Sequence, residues 1–411
     1  MPVDYDRIVR DISQINSFNA TPSQGVTRLT FTPEYEEARQ YLIQQMHEAD
    51  LSVWCDSFGN LFARLEGSDP SLPAVMAGSH LDTVPCGGQF DGVVGVVAAL
   101  ETARRIREDG LRPNHSYLVT VFAEEEGARF GQVLVGSRAL AGLLDREAVS
   151  ALKDSDSVGY LEALAHASLR PRDSQVFGRN SIKCMLEIHI EQSVVLEQEG
   201  KIIGIVEAVA GIQQMSVEVR GIPNHAGATP MKRRKDALAG TASMITSIEG
   251  IALNRSGPRT VCTVGKIQCE PNISNVIPGY CHFTVDLRDT EASWLQEAAS
   301  AVDATCRRIG QERGLDTTVS LKPRTEPVLL SSRIGQLTEK VALEKGLPHM
   351  WMPSGAVHDA AIMAQLVETS MVFVPSIVGR SHVPEENTSY EHIYQGIDVF
   401  SEVLLRLCEC A

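Results

Sequence analysis

The chain has 411 residues, about two to three times a usual domain, so two domains are expected, each able to bury a core. Apolar residues at 43% and charged residues at 22% give an ordinary globular balance, which excludes a fibrous or disordered chain. A formal net charge of -15 argues against a nucleic-acid partner, because phosphates are held by Lys and Arg; the local run Lys232-Arg233-Arg234-Lys235 reads as the solvated start of a helix.

Met1–Arg10 carries Asp4, Asp6, Arg7 and Arg10 without an apolar stretch, so it does not read as a signal peptide. No run approaches the ~18 apolar residues of a membrane span. The nine cysteines are odd in number and lack C-x-x-C spacing, which suits thiols in a reducing compartment. These features predict a cytoplasmic enzyme with no membrane association.

In chain order, Leu72–Ser79 reads as a buried strand and Val93–Arg107 as a helix of small and β-branched residues. Ser116–Ala123, Ser181–His189 and Met371–Val374 read as further strands. Strands alternating with helices predict an α/β domain with a mostly parallel sheet. Reactive groups in such sheets gather beyond the strands' carboxyl ends, where His80, Glu125 and His189 all fall.

From about Ile212 the pattern changes. Gln214–Arg220, Val261–Gln268, Tyr280–Arg288 and Thr317–Lys322 read as strands, with helices at Lys232–Ile248 and Glu291–Gly314. The order βαββαβ is the split arrangement of an α+β domain. Within Tyr280–Arg288, Phe283, Val285 and Leu287 alternate with polar residues, as in a sheet with one buried face. After Pro327 the chain returns to helix and strand, with Ser331–Gly346 helical and a helix opening at His358. The predicted catalytic domain is therefore discontinuous, 1–211 and 328–411, with a lid and dimerisation domain inserted at 212–327.

The chemistry-bearing segments begin with Gly78-Ser79-His80-Leu81-Asp82-Thr83-Val84 and Gly87-Gly88-Gln89-Phe90-Asp91-Gly92. A strand-end histidine can ligate a metal, and Asp82, two residues on, can hold its ring in place. Asp91, flanked by glycine, suits a carboxylate that bridges two cations. Glu124-Glu125-Glu126 follows a buried strand, where like charges repel unless cations neutralise them. At least one of the three is then a ligand, and a neighbour can serve as a base. Leu186-Glu187-Ile188-His189-Ile190-Glu191-Gln192 and Ser381-His382 complete the series. Alone, each histidine is more often a structural residue than a ligand. Together, His80, His189, His382, Asp91 and Glu126 form a donor set suited to zinc, manganese or cobalt.

These segments, with NHAGATPM, NVIPG, the following DLRDT and SGAVHDA, closely resemble the hydantoinase/carbamoylase family over about Gly25 to His382. That family contains N-carbamoyl-L-amino-acid hydrolases, β-ureidopropionases and allantoate amidohydrolases. The resemblance implies two divalent ions per subunit bridged by Asp91, one completed by His80 and His189, the other by Glu126 and His382. It implies Glu125 as general base, supported by Asp82, and His225 as a group donated to the reacting carbonyl, reaching the facing subunit of a homodimer. Asn275, Arg288 and Gly355 match residues that grip a substrate carboxylate, with Gln192 and Gln214 as further substrate contacts. The guanidinium of Arg288 offers the planar fork that suits this role.

The expected reaction is hydrolysis of the carbamoyl C–N bond of an N-carbamoyl-L-amino acid, a small carboxylate substrate, to the amino acid, CO2 and ammonia. Allantoate is the alternative substrate, and an aminoacylase or peptidase of the same metal architecture is a third reading. The allantoate branch implies an arginine where this chain has Gln213-Gln214, which favours the carbamoyl amino acid. A catalytically dead metal-binding scaffold would lack the base or a ligand, and here all are present.

Overall fold

The computed structural model describes residues 2–166, 180–255 and 260–410. Its strands run, in chain order, β1 (Ser52–Cys55), β2 (Leu61–Leu65), β3 (Ala74–His80), β4 (Tyr117–Phe122), β5 (Ile182–Ile190), β6 (Ile203–Val209), β7 (Gly211–Arg220), β8 (Asn224–His225), β9 (Val261–Glu270), β10 (Val276–Ile277), β11 (Tyr280–Asp289), β12 (Asp316–Leu321), β13 (Val328–Leu329), β14 (His349–Ser354) and β15 (Glu368–Val374). The chain divides into two compact units, Met1–Glu207 with Leu330–Ala411, and Ala208–Leu329. The sequence placed the corresponding boundaries a few residues away, at 212 and 327.

The first unit is built on a sheet with strand order β1-β2-β4-β3-β5-β15-β6. Its four central strands are parallel, β4 beside β3, β3 beside β5 and β5 beside β15. Every residue of β3 and β4 is buried, as is nearly all of β5 and β15. Strands buried on both faces are continuously apolar, which is why they stand out in the sequence. Burying each Val, Leu, Ile or Phe there contributes about 1.5–3 kcal/mol. The helix Val93–Glu108 packs on β3 and buries nearly all of its residues. On the flanks the pairing turns antiparallel, at β1–β2, β2–β4 and β15–β6, so the sheet is parallel at its centre and mixed overall.

The second unit has a four-stranded antiparallel sheet, β12-β7-β11-β9. Helices Ala237–Leu253 and Ala292–Arg313 cover one face through Met244, Ile248, Leu295, Val302 and Ile309. In β11 the inward residues Phe283, Val285 and Leu287 are fully buried, and the intervening His282, Thr284, Asp286 and Arg288 are only half-buried. The alternation read from the sequence is therefore the alternation of the two faces. A small ribbon of β8 against β10 accompanies this sheet, with His225 opposite Val276. Where the chain leaves and re-enters the unit, Val328 and Leu329 pair with Val209 and Ala208. Among the described residues no helix is long and apolar enough to cross a membrane, and all nine cysteines are free thiols.

Candidate metal and catalytic site

Parallel strands in register bring their carboxyl ends to one edge, and the chemistry of the first unit collects there. His80 is the last residue of β3 and lies level with Phe122, the last of β4, from which Glu124, Glu125 and Glu126 follow. His189 lies level with Phe373 near the end of β15, and the loop beyond β15 carries Ser381 and His382. Asp91 enters from the turn ahead of the helix Val93–Glu108.

Asp91 joins two donor groups, His80–Asp91–His189 and Asp91–Glu126–His382, each with its ligand atoms within 4.8 Å of one another. Its two oxygens face different ways. Oδ1 lies 3.3 Å from His80 Nε2 and 3.1 Å from His189 Nε2, whereas Oδ2 lies 3.6 Å from His382 Nε2. Glu126 Oε1 lies 3.4 Å from the same His382 nitrogen.

The ring orientations are set by the backbone. His80 Nδ1 is 3.0 Å from the Asp82 carbonyl oxygen, and His189 Nδ1 is 2.9 Å from that of Ile190. A carbonyl only accepts, so both rings carry a proton on Nδ1 and turn Nε2 toward Asp91. Gly92, at φ +66°, permits the approach of the His80 ring, since a Cβ there would fall 2.5 Å from its Cε1.

Asp82 acts differently from the sequence expectation. Its carboxylate is 3.9 Å from His80 Nδ1 and instead accepts the backbone N–H of Glu125 at 3.3 Å and of Glu126 at 3.0 Å. It orders the glutamate loop, and its carbonyl, not its carboxylate, holds the ring.

The three adjacent glutamates diverge because Glu124 adopts a left-handed backbone, φ 52°. The Glu124 carboxylate turns back to accept the N–H groups of Arg129 and Phe130. Glu125 points to the first donor group, with Oε2 3.8 Å from His80 Nε2, and Glu126 to the second. Gln192 and His382 are also left-handed, at φ 61° and 60°, and strained backbone of this kind is common at functional sites.

Electrostatics distinguish the acids. Burial pushes Glu125 well above the usual carboxylate range, reinforced by Glu126, Asp359 and Asp82 and opposed by His80. Burial and the neighbouring Asp91 bring Glu126 to about 7. Burial also works against the Asp91 anion, but His189, His382 and His80 overcome it and hold its pKa well below the ordinary value. Hydrogen bonding to Asp91 leads the shift of His382 up to about 9, against burial. Acids crowded in a dry site are relieved by bound cations. That crowding, the convergent Nε2 atoms and the nitrogen and oxygen donors fit divalent transition metals.

Gln192 Nε2 donates to Asp91 Oδ2 at 2.6 Å, and a cleft of about 450 Å³ lined by Gln192, Ala356, Arg380, Ser381 and His382 opens beside it. Gly355, exposed after β14, precedes Ala356 of that lining. The structure thus brings His80, Asp82, Asp91, Glu125, Glu126, His189, Gln192 and His382 together in the first unit.

His225, Asn275, Arg288 and Gln214 belong to the second unit. His225 is exposed, and its Nδ1 accepts the N–H groups of Gly227 at 3.0 Å and Ala228 at 3.1 Å. The ring proton is therefore on Nε2, which is presented as a donor. Asn275 adjoins it, its carbonyl accepting the Ala226 N–H at 2.9 Å. Asp286 links the other two, accepting from Arg288 Nε at 2.9 Å and from Gln214 Nε2 at 3.3 Å. Gln213 is buried and bonds the backbone carbonyls of Gln214 and Lys322.

Sequence reasoning missed Glu386, which is buried and bonds to the backbone of Asp91 and to Ser381. The only signal was its place four residues beyond His382. It also missed His358, a buried ring 4.5 Å from that of His189, whose pKa is driven well below the ordinary value by burial and then by His189.

The profile of the peptidase family M20/M25/M40 matches residues 76–406. The chain is 38% identical over 404 residues to an N-carbamoyl-L-amino-acid amidohydrolase of Paenarthrobacter aurescens, covering 98% of both chains. It is 35% identical to the allantoate amidohydrolase of Escherichia coli strain K12, covering 96% of this chain and 95% of that one. A hydantoinase/carbamoylase family amidase from Burkholderia multivorans has a crystal structure similar to this one, with a TM-score of 0.94, 34% identity and 98% of each chain covered. The chain therefore belongs to the M20/M25/M40 peptidase family and, within it, to the hydantoinase/carbamoylase amidases, and it is a metal-dependent hydrolase.

Proposed function

We propose that the protein hydrolyses the carbamoyl C–N bond of N-carbamoyl-L-amino acids. The observation that carries this reading is Asp91, whose two oxygens face separate donor groups beside the buried Glu125. In this reading His80, Asp91 and His189 hold one divalent ion, and Asp91, Glu126 and His382 hold a second, drawn from zinc, manganese or cobalt. When bound, such a pair supplies Lewis acidity that lowers the pKa of water and polarises the substrate carbonyl.

Glu125 takes a proton from water as the oxygen attacks the ureido carbon. A carboxylate whose pKa is raised by burial is a stronger base than a free one and also a competent acid afterwards. Glu125 then returns the proton to the nitrogen attached to the amino-acid α-carbon, and the C–N bond breaks. The products are the amino acid and carbamic acid, and the latter decomposes to CO2 and ammonia.

His225 donates through Nε2–H to the developing oxyanion, a contact worth about 3 kcal/mol where water is excluded. Arg288, Asn275 and the Gly355 backbone receive the substrate carboxylate, with Gln192 and Gln214 contacting the remainder. We assign the working form to a cytoplasmic homodimer in which His225 serves the facing subunit. Gln213 and Gln214 provide no positive charge for the second polar arm of allantoate, which favours carbamoyl amino acids.

The test is release of ammonia and of the free amine product from N-carbamoyl-L-amino acids, allantoate, N-acetyl amino acids and dipeptides after chelation and readdition of zinc, manganese or cobalt. Metal-dependent ammonia from the carbamoyl substrates is expected. Turnover confined to N-acetyl amino acids or dipeptides would refute the reading.

A further inference from the structure

We propose that Glu386 is a positioning residue for the paired-ion site, fixing the shared Asp91 against the loop that carries His382. Glu386 is 3% exposed and belongs to neither donor group. Its Oε1 accepts the backbone N–H of Phe90 at 2.9 Å and that of Asp91 at 3.2 Å. Its Oε2 lies 2.7 Å from Ser381 Oγ, and the same hydroxyl lies 3.0 Å from Asp91 Oδ2. One side chain thus grips the backbone of Asp91 and, through Ser381, reaches its carboxylate from the other side.

The motif Gly87-Gly88-Gln89-Phe90-Asp91-Gly92 is shaped around this grip. A Cβ at Gly88 would stand 2.0 Å from the Glu386 carboxyl carbon and 2.1 Å from its Oε1. The loop passes over Glu386 only because position 88 has no side chain. The neighbouring glycine therefore serves the Glu386 contact, as Gly92 serves His80.

The chemistry of the contact follows from donor counting. Two backbone N–H groups need acceptors in a buried place, and the Glu386 oxygen provides one for both. The Ser381 hydroxyl has a single proton and faces two carboxylates, Asp91 and Glu386, so it couples their positions. Groups that orient metal ligands from behind typically set metal affinity by about 10–100-fold.

The inference rests on the two-ion reading above, and the experiment separates the two. Zinc or manganese bound per chain is measured by equilibrium dialysis against buffered free ion and elemental analysis, with a thermal melt of each apo-protein. Wild type should take up both ions. Glu386→Ala should weaken retention by about 10–100-fold, most for the ion between Asp91 and His382, and excess ion should restore most of kcat. Glu386→Gln, which keeps an acceptor for the two N–H groups and a group facing Ser381, should stay close to wild type.

Gly88→Ala should reproduce the Glu386→Ala loss, and the double variant should be no worse than either alone, because contacting residues are not additive. Wild-type affinity for both ions in Glu386→Ala overturns the positioning role. Should Glu386→Ala fail to fold, Ser381→Ala decides: unweakened ions there overturn it too. If wild type itself takes up fewer than two ions, the paired-ion reading fails instead, whatever the variants do.

Discussion

The candidate ligands of the first unit and the candidate substrate contacts of the second are held by opposite means. His80 and His189 are buried at strand ends and Asp91 in the turn ahead of the helix Val93–Glu108, with both rings tied by Nδ1 to backbone carbonyls. His225 is exposed on a short ribbon and Asn275 just ahead of its second strand, and Arg288 is half-buried on the face of a sheet away from its helices. Burial fixes geometry before anything binds, which electrostatic catalysis requires. Exposed groups on a sheet face can be changed at little cost to the fold. The two regions should therefore fail differently: the first by losing ions or rate, the second by losing substrate selectively.

The largest effect should come from Asp91→Ala, which removes the residue common to both donor groups. Metal analysis should find both ions depleted and turnover at background, and the ion-dependent gain in melting temperature should vanish. Retention of a full complement would break the comparison at its base. Glu125→Gln should keep both ions and lose about 10²–10⁴-fold in kcat, the usual contribution of a positioned acid–base group. Near-normal turnover with intact metal content would remove Glu125 as the base.

His225→Ala should lower kcat by about 10²–10³-fold, as for the loss of one oxyanion donor, without altering the metal content or melting temperature. A shift in either would place His225 in the structural class. Smallest is Arg288→Ala, which should reduce kcat/KM by about 10–100-fold on carboxylate substrates, the value of a hydrogen bond to a charged group. The same variant assayed on the matching uncharged amides should be nearly silent, and an equal loss on both would contradict a carboxylate clamp.

The sequence disclosed those parts whose physics is local. Continuous apolar runs marked β3, β4, β5 and β15, and polar residues at or just past their ends marked the candidate ligands. Alternation in β11 marked a sheet with one buried face. Pairing direction was not legible at the flanks, because a short strand such as Leu61–Leu65 carries no record of how its neighbour runs. The ribbon of β8 and β10 is two residues long on each side and lies below any periodic signal.

Asp82 was assigned to the His80 ring because two-residue spacing allows it, but spacing does not say whether carbonyl or carboxylate makes the contact. Glu386 escaped because its partners Phe90 and Asp91 are 296 and 295 residues away. Read from charge and position alone, the roles within Glu124-Glu125-Glu126 stay open. The family resemblance had already singled out Glu125 and Glu126, and the fold gives a physical account of why neighbours differ.

That left-handed residue has an evolutionary corollary. Glu124, Glu125 and Glu126 are spelled alike, yet with Glu124 left-handed they face a loop, the first donor group and the second, so the triplet has no internal redundancy. Glutamine at the first should register as lost thermal resistance, at the second as slowed turnover, at the third as leaked metal. A drifting lineage could not trade one letter for its neighbour, and inserting or deleting a single residue in the run would misassign every task at once.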